Sequence, residues 1–165
     1  MALPMVGPAI LLDGLLTALF CSARAPGSAI LPALDMAARL RDEGATVISG
    51  FHSPLERECL RVLLRGRQPI VICLARALEG MRIPAECRPA FHEERILYLS
   101  PFTGGPRRPT AETARRRNEL VASLAHRAFV PYAAPGGETA RIVALLQARG
   151  VAFLDPATRR TPARQ

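Results

Sequence analysis

Apolar runs of strand length alternate with helical patterns along the chain, and this alternation restricts the fold more than any other feature. The strand-like runs are residues 15–22, 45–50, 69–75, 95–100, 127–133 and 151–155. The helical patterns are residues 28–43, 54–65, 110–125 and 137–149, with a shorter turn near 78–91. Strands joined by helical crossovers pair in parallel, and the helices cover both faces of the sheet. The sequence therefore predicts an α/β fold, a Rossmann-like doubly wound parallel sheet of about six strands.

One domain accounts for the folded part of the 165 residues, because a chain of this length can bury a sufficient core. We predict an N-terminal arm at 1–14, a Rossmann-like domain at 15–155 and a flexible basic tail at 156–165. Asp13 interrupts the apolar N-terminus, which lacks an early positive charge and is too short to span a membrane. The four cysteines lack metal-ligand spacing, and reduced thiols favour a cytoplasmic protein with no metal or cofactor.

Positive charge is concentrated in the last third of the chain. All 22 basic residues are arginines, and residues 101–165 hold 11 of them against 4 acidic residues, a net charge of +7. Such a surface attracts phosphates and other polyanions. Nucleic acid or an acidic protein partner fits this pattern, and so does a soluble protein from an arginine-rich proteome.

The turn in "ISGFHSPLE" precedes a predicted helix. Ser53 has the sequence of an N-cap, with Pro54 at the first helical position and Glu56 completing a capping box. The turn lacks the closing glycine of a nucleophile elbow, and the adjacent His52 is poorly placed to act as base for Ser53. These features disfavour a serine hydrolase. The turn, which begins at Ser49-Gly50, is instead predicted to present backbone N–H groups and a helix dipole to an anion.

Two further loops repeat this arrangement of small residues before a helix. In parallel sheets, ligands lie beyond the carboxyl ends of the strands, so all three loops are predicted to converge there. Such turns are also ordinary connectors, and their recurrence is what favours a phosphate or nucleotide-type ligand. The first of these loops contributes Ser22, Arg24 and Gly27, and the second contributes Gly136, Gly137 and Thr139.

Arginines cluster in the segment "PRRPTAETARRRNEL". Arg107 and Arg108 fall in a loop, and both are candidate phosphate ligands. In the following helix, four-residue spacing predicts ion pairs of Arg116 with Glu112 and of Arg115 with Glu119.

Arg117 has no such partner in its own helix. It falls on the apolar stripe of Leu120, Val121 and Leu124, so its guanidinium is predicted to start from a partly buried face. Either a bound phosphate or an acidic side chain from another loop is expected to pair with it.

Six short motifs follow one another in a fixed order along the chain. They are "CSAR" (21–24), "ISGF" (48–51), "MRIP" (81–84), "LSPF" (99–102), "RRNELVASLA" (116–125) and "APGGETA" (134–140). This order resembles the DNA-processing protein A (DprA/Smf) family. The resemblance spans residues 17–155, and "RRNELVASLA" is its most specific part. Cys21 stands where the family has a glycine, and "SGFHSPLE" lacks the family's arginine and second glycine.

This resemblance implies a function in DNA processing and natural transformation. It implies that a basic pocket at the carboxyl ends of the strands binds single-stranded DNA, and that a recombinase is a partner; a homodimer is left open. The residues carried over are Ser22, Arg24, Ser49, Gly50, Arg117, Asn118, Gly136, Gly137 and Thr139.

The chain resembles the "lonely guy" phosphoribohydrolases more distantly. Their P-G-G-x-G-T-x-x-E motif is matched incompletely by "PGGETARIV", which has no glutamate at the catalytic position. That chemistry requires a carboxylate beside the ribose, so the pattern favours binding over catalysis. A mononucleotide sensor or phosphoribohydrolase-like protein is the alternative to a DNA-binding protein.

Overall fold

The computed structural model describes residues 2–158, which contain one seven-stranded sheet. The strands lie in the order β1-β5-β4-β3-β2-β6-β7. All neighbouring strands pair in parallel except β1 and β5, which pair antiparallel. The strands are β1 (Met5–Val6), β2 (Leu16–Leu19), β3 (Thr46–Ser49), β4 (Ile70–Cys73), β5 (Ile96–Leu99), β6 (Arg127–Phe129) and β7 (Ala152–Phe153).

Five α-helices connect the strands. Three-residue 3₁₀ turns precede α1 and α3, so the chain tightens at 27–29 and 85–87 before each of these helices begins. The turn predicted near 78–91 therefore contains the short helix α3. The helices are α1 (Ile30–Asp42), α2 (Pro54–Leu64), α3 (Arg88–His92), α4 (Ala111–Leu124) and α5 (Glu138–Ala148).

The two faces of the sheet carry separate cores. On one face, Val47 and Ile70 of the strands pack with residues of α1 and α2, among them Met36 and Leu63. On the other face, strand residues such as Ile48 pack with α4 and α5. Because alternate strand residues enter opposite cores, the central strands are mainly apolar and buried on both sides. This arrangement confirms the doubly wound, Rossmann-like fold.

The N-terminal segment adds the strand that the sequence pattern missed. Met5 pairs with Leu99 and Val6 with Tyr98, so residues predicted to form an arm extend the sheet to seven strands instead of about six. A two-residue strand is too short to leave a period-two pattern, which explains the miss. Most of the predicted basic tail, residues 159–165, lies outside the described residues.

Strand β2 is the point at which the winding of the sheet reverses. The chain runs from β2 through β3 and β4 to β5 on one side, and returns to place β6 on the other side of β2. The loops that leave β2 and β6 therefore diverge, one toward α1 and the other toward α5 on the opposite face. A crevice at the carboxyl ends of these strands is the usual ligand position in such folds.

Candidate functional site

A cavity of about 440 Å³ lies at this reversal point, and the three predicted loops line it. The loop after β2 contributes residues 20–24, the turn after β3 contributes His52 and Ser53, and the loop after β6 contributes residues 134 and 137–139. Helix α4 closes the cavity with Ala114, Arg117 and Asn118. The predicted convergence of the loops is therefore present in the fold.

Three backbone N–H groups at this edge are already occupied by Glu56. Its carboxylate accepts hydrogen bonds from the N–H groups of Cys21 (2.8 Å), His52 (2.9 Å) and Ser53 (3.1 Å). Glu56 is 7% exposed, and it also belongs to the predicted capping box with Ser53. The expectation that these amides face a bound anion is thus wrong, because the chain supplies its own carboxylate to the start of α2.

Three predicted serines hold the loops together. The Ser22 hydroxyl accepts a hydrogen bond from the Ala134 N–H (2.8 Å), which joins the loops after β2 and β6. Ser49 is fully buried; its hydroxyl donates to the Leu19 carbonyl (2.9 Å) and accepts from the Phe51 N–H (3.0 Å). Ser53 accepts from the Glu56 N–H in the capping box. Their hydroxyls therefore fix the shape of the rim.

Arg117 lies on the floor of the cavity, against Gly50. A Cβ atom at Gly50 would stand 2.3 Å from the Arg117 Nη1 atom and 2.4 Å from its Cζ atom. Because no L side chain can occupy that space, the glycine after β3 is what allows the guanidinium to reach the sheet edge. The contact between Gly50 and Arg117 joins the turn after β3 to helix α4, two segments that are far apart in the sequence.

The guanidinium of Arg117 has no carboxylate within ion-pair distance among residues 2–158. Its Nε atom donates to the Asn118 side-chain oxygen (2.8 Å), and its terminal nitrogens make no hydrogen bond there. Burial lowers its pKa, while the negative charge of the nearby Glu56 acts in the opposite direction. Arginine stays charged at neutral pH, so a 7%-exposed cation stands here without a direct counter-ion.

The neighbouring arginines pair differently from the predicted i,i+4 pattern. Glu138 at the start of α5 accepts hydrogen bonds from Arg141 (2.6 Å) and lies 3.7 Å from Arg115. Glu119 also pairs with Arg141 (3.0 Å). Hydrogen bonding from Arg141 lowers the pKa of Glu138, which stays ionised at neutral pH. This network joins α4 to α5. Asn118 connects Arg117 to it, because its side chain accepts from Arg117 and donates to Glu138 (3.4 Å).

Arg116 also departs from its predicted pairing with Glu112. Its guanidinium stacks over the Phe102 ring, 4.7 Å from the ring centroid. This cation–π contact is favourable without a carboxylate partner, so the Arg116 side chain packs on the loop that follows β5.

Six predicted ligands do not line the 440 Å³ cavity. Ser49 is buried within β3, and Gly50 packs against Arg117. Arg107 and Arg108 are exposed on the loop before α4, and Gly27 and Gly136 are exposed at the outer ends of their loops. Arg24, His52, Asn118, Gly137 and Thr139 line the cavity together with Arg117.

A second cavity of about 420 Å³ continues the first along the sheet edge. It shares His52, Ala114 and Arg117 with the first cavity and adds Arg76 from the loop after β4. Arg76 donates to the carbonyls of Ala77 (3.0 Å) and Glu79 (2.9 Å), so main-chain oxygens fix a second cation that no described carboxylate neutralises. Sequence analysis missed Arg76 because its loop lacks the glycine-serine pattern, although its place after a strand was a usable signal.

Groups suited to covalent or metal chemistry are not assembled within residues 2–158. Cys21 lines the first cavity, but burial raises its pKa to about 11, so it is a thiol and not a nucleophilic thiolate at neutral pH. No set of three His, Cys, Asp or Glu side chains in this range is arranged to hold a metal ion. In the same range, no helix has the length and apolar character of a membrane span.

Comparison with solved structures gives strong matches to two bacterial proteins. DNA processing protein A from Helicobacter pylori matches 92% of this chain and 69% of its own, with a TM-score of 0.73 and 21% identity. That structure concerns a single-stranded DNA binding mode. The chain has the fold of DprA. DprA from Streptococcus pneumoniae matches 92% of this chain and 53% of its own, with a TM-score of 0.75 and 16% identity.

A weaker structural match is to a cofactor carrier protein. The molybdenum cofactor carrier protein from Chlamydomonas reinhardtii has a TM-score of 0.57 at 13% identity, over 84% of this chain and 74% of its own. No family model matches the sequence, and no curated protein matches it. The likeness to DprA therefore lies in the fold, and it agrees with the resemblance read from the motifs.

Proposed function

We propose that this protein binds single-stranded DNA through its phosphates, in the groove formed by the two cavities, and without sequence preference. The observation that carries the proposal is the buried guanidinium of Arg117, which makes no ion pair among residues 2–158 and is seated on Gly50 between the three loops. A buried cation without a counter-ion is costly unless a ligand supplies the negative charge. A phosphate oxygen at the terminal nitrogens of Arg117 would supply it.

Two further cations are placed to contact neighbouring phosphates. Arg24 lines the first cavity and Arg76 lines the second, on either side of Arg117. Neither forms an ion pair with a carboxylate among residues 2–158. Because Glu56 uses the N–H groups of Cys21, His52 and Ser53, the phosphate contacts proposed on this side of the cavity come from side chains. Such contacts carry no sequence information, which is why we propose non-specific binding.

The strand is proposed to be single because the cations lie inside a groove. Their guanidinium groups line cavities at the sheet edge, where a flexible strand can follow the floor. The Helicobacter pylori protein with this fold binds single-stranded DNA, which supports the same ligand class here.

A mononucleotide is the second candidate ligand, and the cavity volume favours it. About 440 Å³ falls within the usual range for small-molecule sites, roughly 300–1,000 Å³. The two candidates differ in the cations that they contact, since Arg76 lines the second cavity and not the first. Stabilisation of the protein by a mononucleotide in a thermal-shift assay, with no effect of oligonucleotides, would favour this candidate.

The salt dependence of binding tests the proposed function. We expect a fluorescein-labelled oligo-dT to bind at about 50 mM salt, with log Kd rising by roughly 0.7 per phosphate contact for each tenfold increase in salt. Three contacts, to Arg24, Arg117 and Arg76, predict a slope of about 2 in fluorescence anisotropy. Absence of binding at the low salt concentration, or a slope near zero, would contradict the proposal.

A further inference from the structure

A pocket of about 420 Å³ opens at the edge of the sheet where β1 lies, away from the groove. We call it the edge pocket. It lies at the amino end of β5, because its residues come from the segment after the antiparallel strand β1 and from the end of α3. None of them lines either cavity of the groove. The lining residues are Gly7, Pro8, Phe91, His92 and Glu94.

Glu94 has a backbone conformation that favours glycine. Its φ angle is +60°, in the left-handed region. Its N–H donates to the Phe91 carbonyl (3.0 Å), and the Arg95 N–H donates to the Ala90 carbonyl (3.0 Å), a helix ending in which glycine is the usual residue. Any other residue costs stability at this position. The carboxylate in the pocket wall is therefore retained against the preference of the backbone, which points to a ligand for it.

The carboxylate of Glu94 is available to a cation. Glu94 is exposed and forms no ion pair among residues 2–158, whereas its neighbour Glu93 pairs with Arg95 (2.9 Å). The half-buried Phe91 ring, which packs against Tyr98, lines the same pocket. A carboxylate beside an aromatic ring suits a guanidinium, since this planar cation stacks on the ring and pairs with the carboxylate.

The adjoining strand β1 offers main-chain groups to an added strand. Among residues 2–158, β1 pairs on one side only, with β5. The Pro4 carbonyl accepts from the Ser100 N–H (3.3 Å), so antiparallel alternation directs the N–H and C=O groups of Met5 away from β5. Met5 is 37% exposed. An extended segment can therefore pair with this edge by strand addition.

We propose that an extended peptide segment of a protein partner docks on this edge, with its main chain paired to Met5 and one arginine side chain in the edge pocket. The aliphatic part of that arginine would lie against Pro8 and Phe91, and its guanidinium would pair with Glu94. Complementary charge favours this occupant, because no cation of residues 2–158 neutralises Glu94. The site is independent of the proposed function, since it shares no residue with the groove.

The test uses a fluorescein-labelled pentapeptide of sequence TVRVT, which favours an extended chain, and its glutamine counterpart TVQVT. By fluorescence anisotropy we expect the wild-type chain to bind the arginine peptide about fivefold more tightly, as one exposed ion pair and one cation–π contact allow. Glu94→Gln should reduce this preference to less than about twofold. Met5→Pro should weaken both peptides about threefold, because it removes an outward N–H at an edge position that tolerates proline.

Glu94→Gly separates ligand binding from stability. It relieves the left-handed backbone, so the melting temperature should rise while the preference for the arginine peptide is lost. Affinity for oligo-dT should stay unchanged in this variant, which distinguishes failure of the edge pocket from failure of the proposed function.

Glu112→Gln is the matched control for the change in charge. Glu112 is exposed on α4, forms no ion pair among residues 2–158 and does not line the edge pocket. This variant should keep the fivefold preference. Absence of binding by the arginine peptide, equal binding of the two peptides to the wild-type chain, or a preference that survives Glu94→Gly would overturn the proposal.

Discussion

Replacing Arg117 with methionine is expected to weaken binding of oligo-dT about 30-fold, which corresponds to the loss of roughly 2 kcal/mol from a charged hydrogen-bonded contact. The free energy of unfolding should not fall. Arg117 is 7% exposed without a described counter-ion, so the change removes a desolvated charge and retains most of the buried volume. Anisotropy titration and urea denaturation measure the two effects on the same protein.

Arg65→Met provides the matched control for this charge change. Arg65 caps the far end of α2, at the opposite edge of the sheet from the cavities. It should reduce affinity less than about twofold, through net charge alone. Gly50→Ala tests the position of the guanidinium instead of its charge, because the added Cβ would displace Arg117. Gly14→Ala is its control, since nothing lies within 4 Å of a Cβ at Gly14.

A pattern in which Arg117→Met lowers the free energy of unfolding but leaves affinity unchanged would show that Arg117 has a structural role. The same conclusion would follow if Gly50→Ala and Gly14→Ala bound oligo-dT equally well. Loss of binding in both Arg117→Met and Gly50→Ala, with retained folding, is the result that the proposed phosphate site requires.

Replacing Glu56 with glutamine is expected to lower the free energy of unfolding by about 2–4 kcal/mol. The carboxylate accepts three N–H donors, from Cys21, His52 and Ser53. The amide of glutamine has only one oxygen, and its NH₂ group would face at least one of these donors. At least one buried N–H would lose its partner, and the loops after β2 and β3 would separate. Urea denaturation measures the loss.

Glu58→Gln is the control on the same helix. Glu58 is exposed and pairs with Arg61 one turn later, so its replacement should cost less than about 0.5 kcal/mol. Equal and small losses for both variants would contradict the role assigned to Glu56.

Local sequence patterns predicted the parts of the site that depend on neighbours in the chain. The apolar runs predicted the strands, and Ser53 with Glu56 predicted the capping box that begins α2. The position of Arg117 on an apolar stripe predicted its burial, because helical spacing fixes which side chains share a face. The likeness to DprA, first read from the order of motifs, is confirmed by the fold.

Contacts between distant segments were not predictable in this way. The second oxygen of Glu56 reaches the N–H of Cys21, 35 positions away, and so fills an anion site that appears open in the sequence. Arg115 pairs with Glu138 and not with Glu119, because α5 packs beside α4 and offers a nearer carboxylate. Arg76 acquires its place only when the sheet brings the end of β4 beside α4.

Hydrogen-deuterium exchange with and without oligo-dT tests most directly whether the groove is the binding site. We predict slower exchange on binding in peptides that cover residues 20–29, 49–55 and 132–140, since these loops line the first cavity. A peptide covering residues 39–45, at the opposite sheet edge, should exchange unchanged. Saturating binding with no change in the three loop peptides would show that the strand binds elsewhere and would contradict the account.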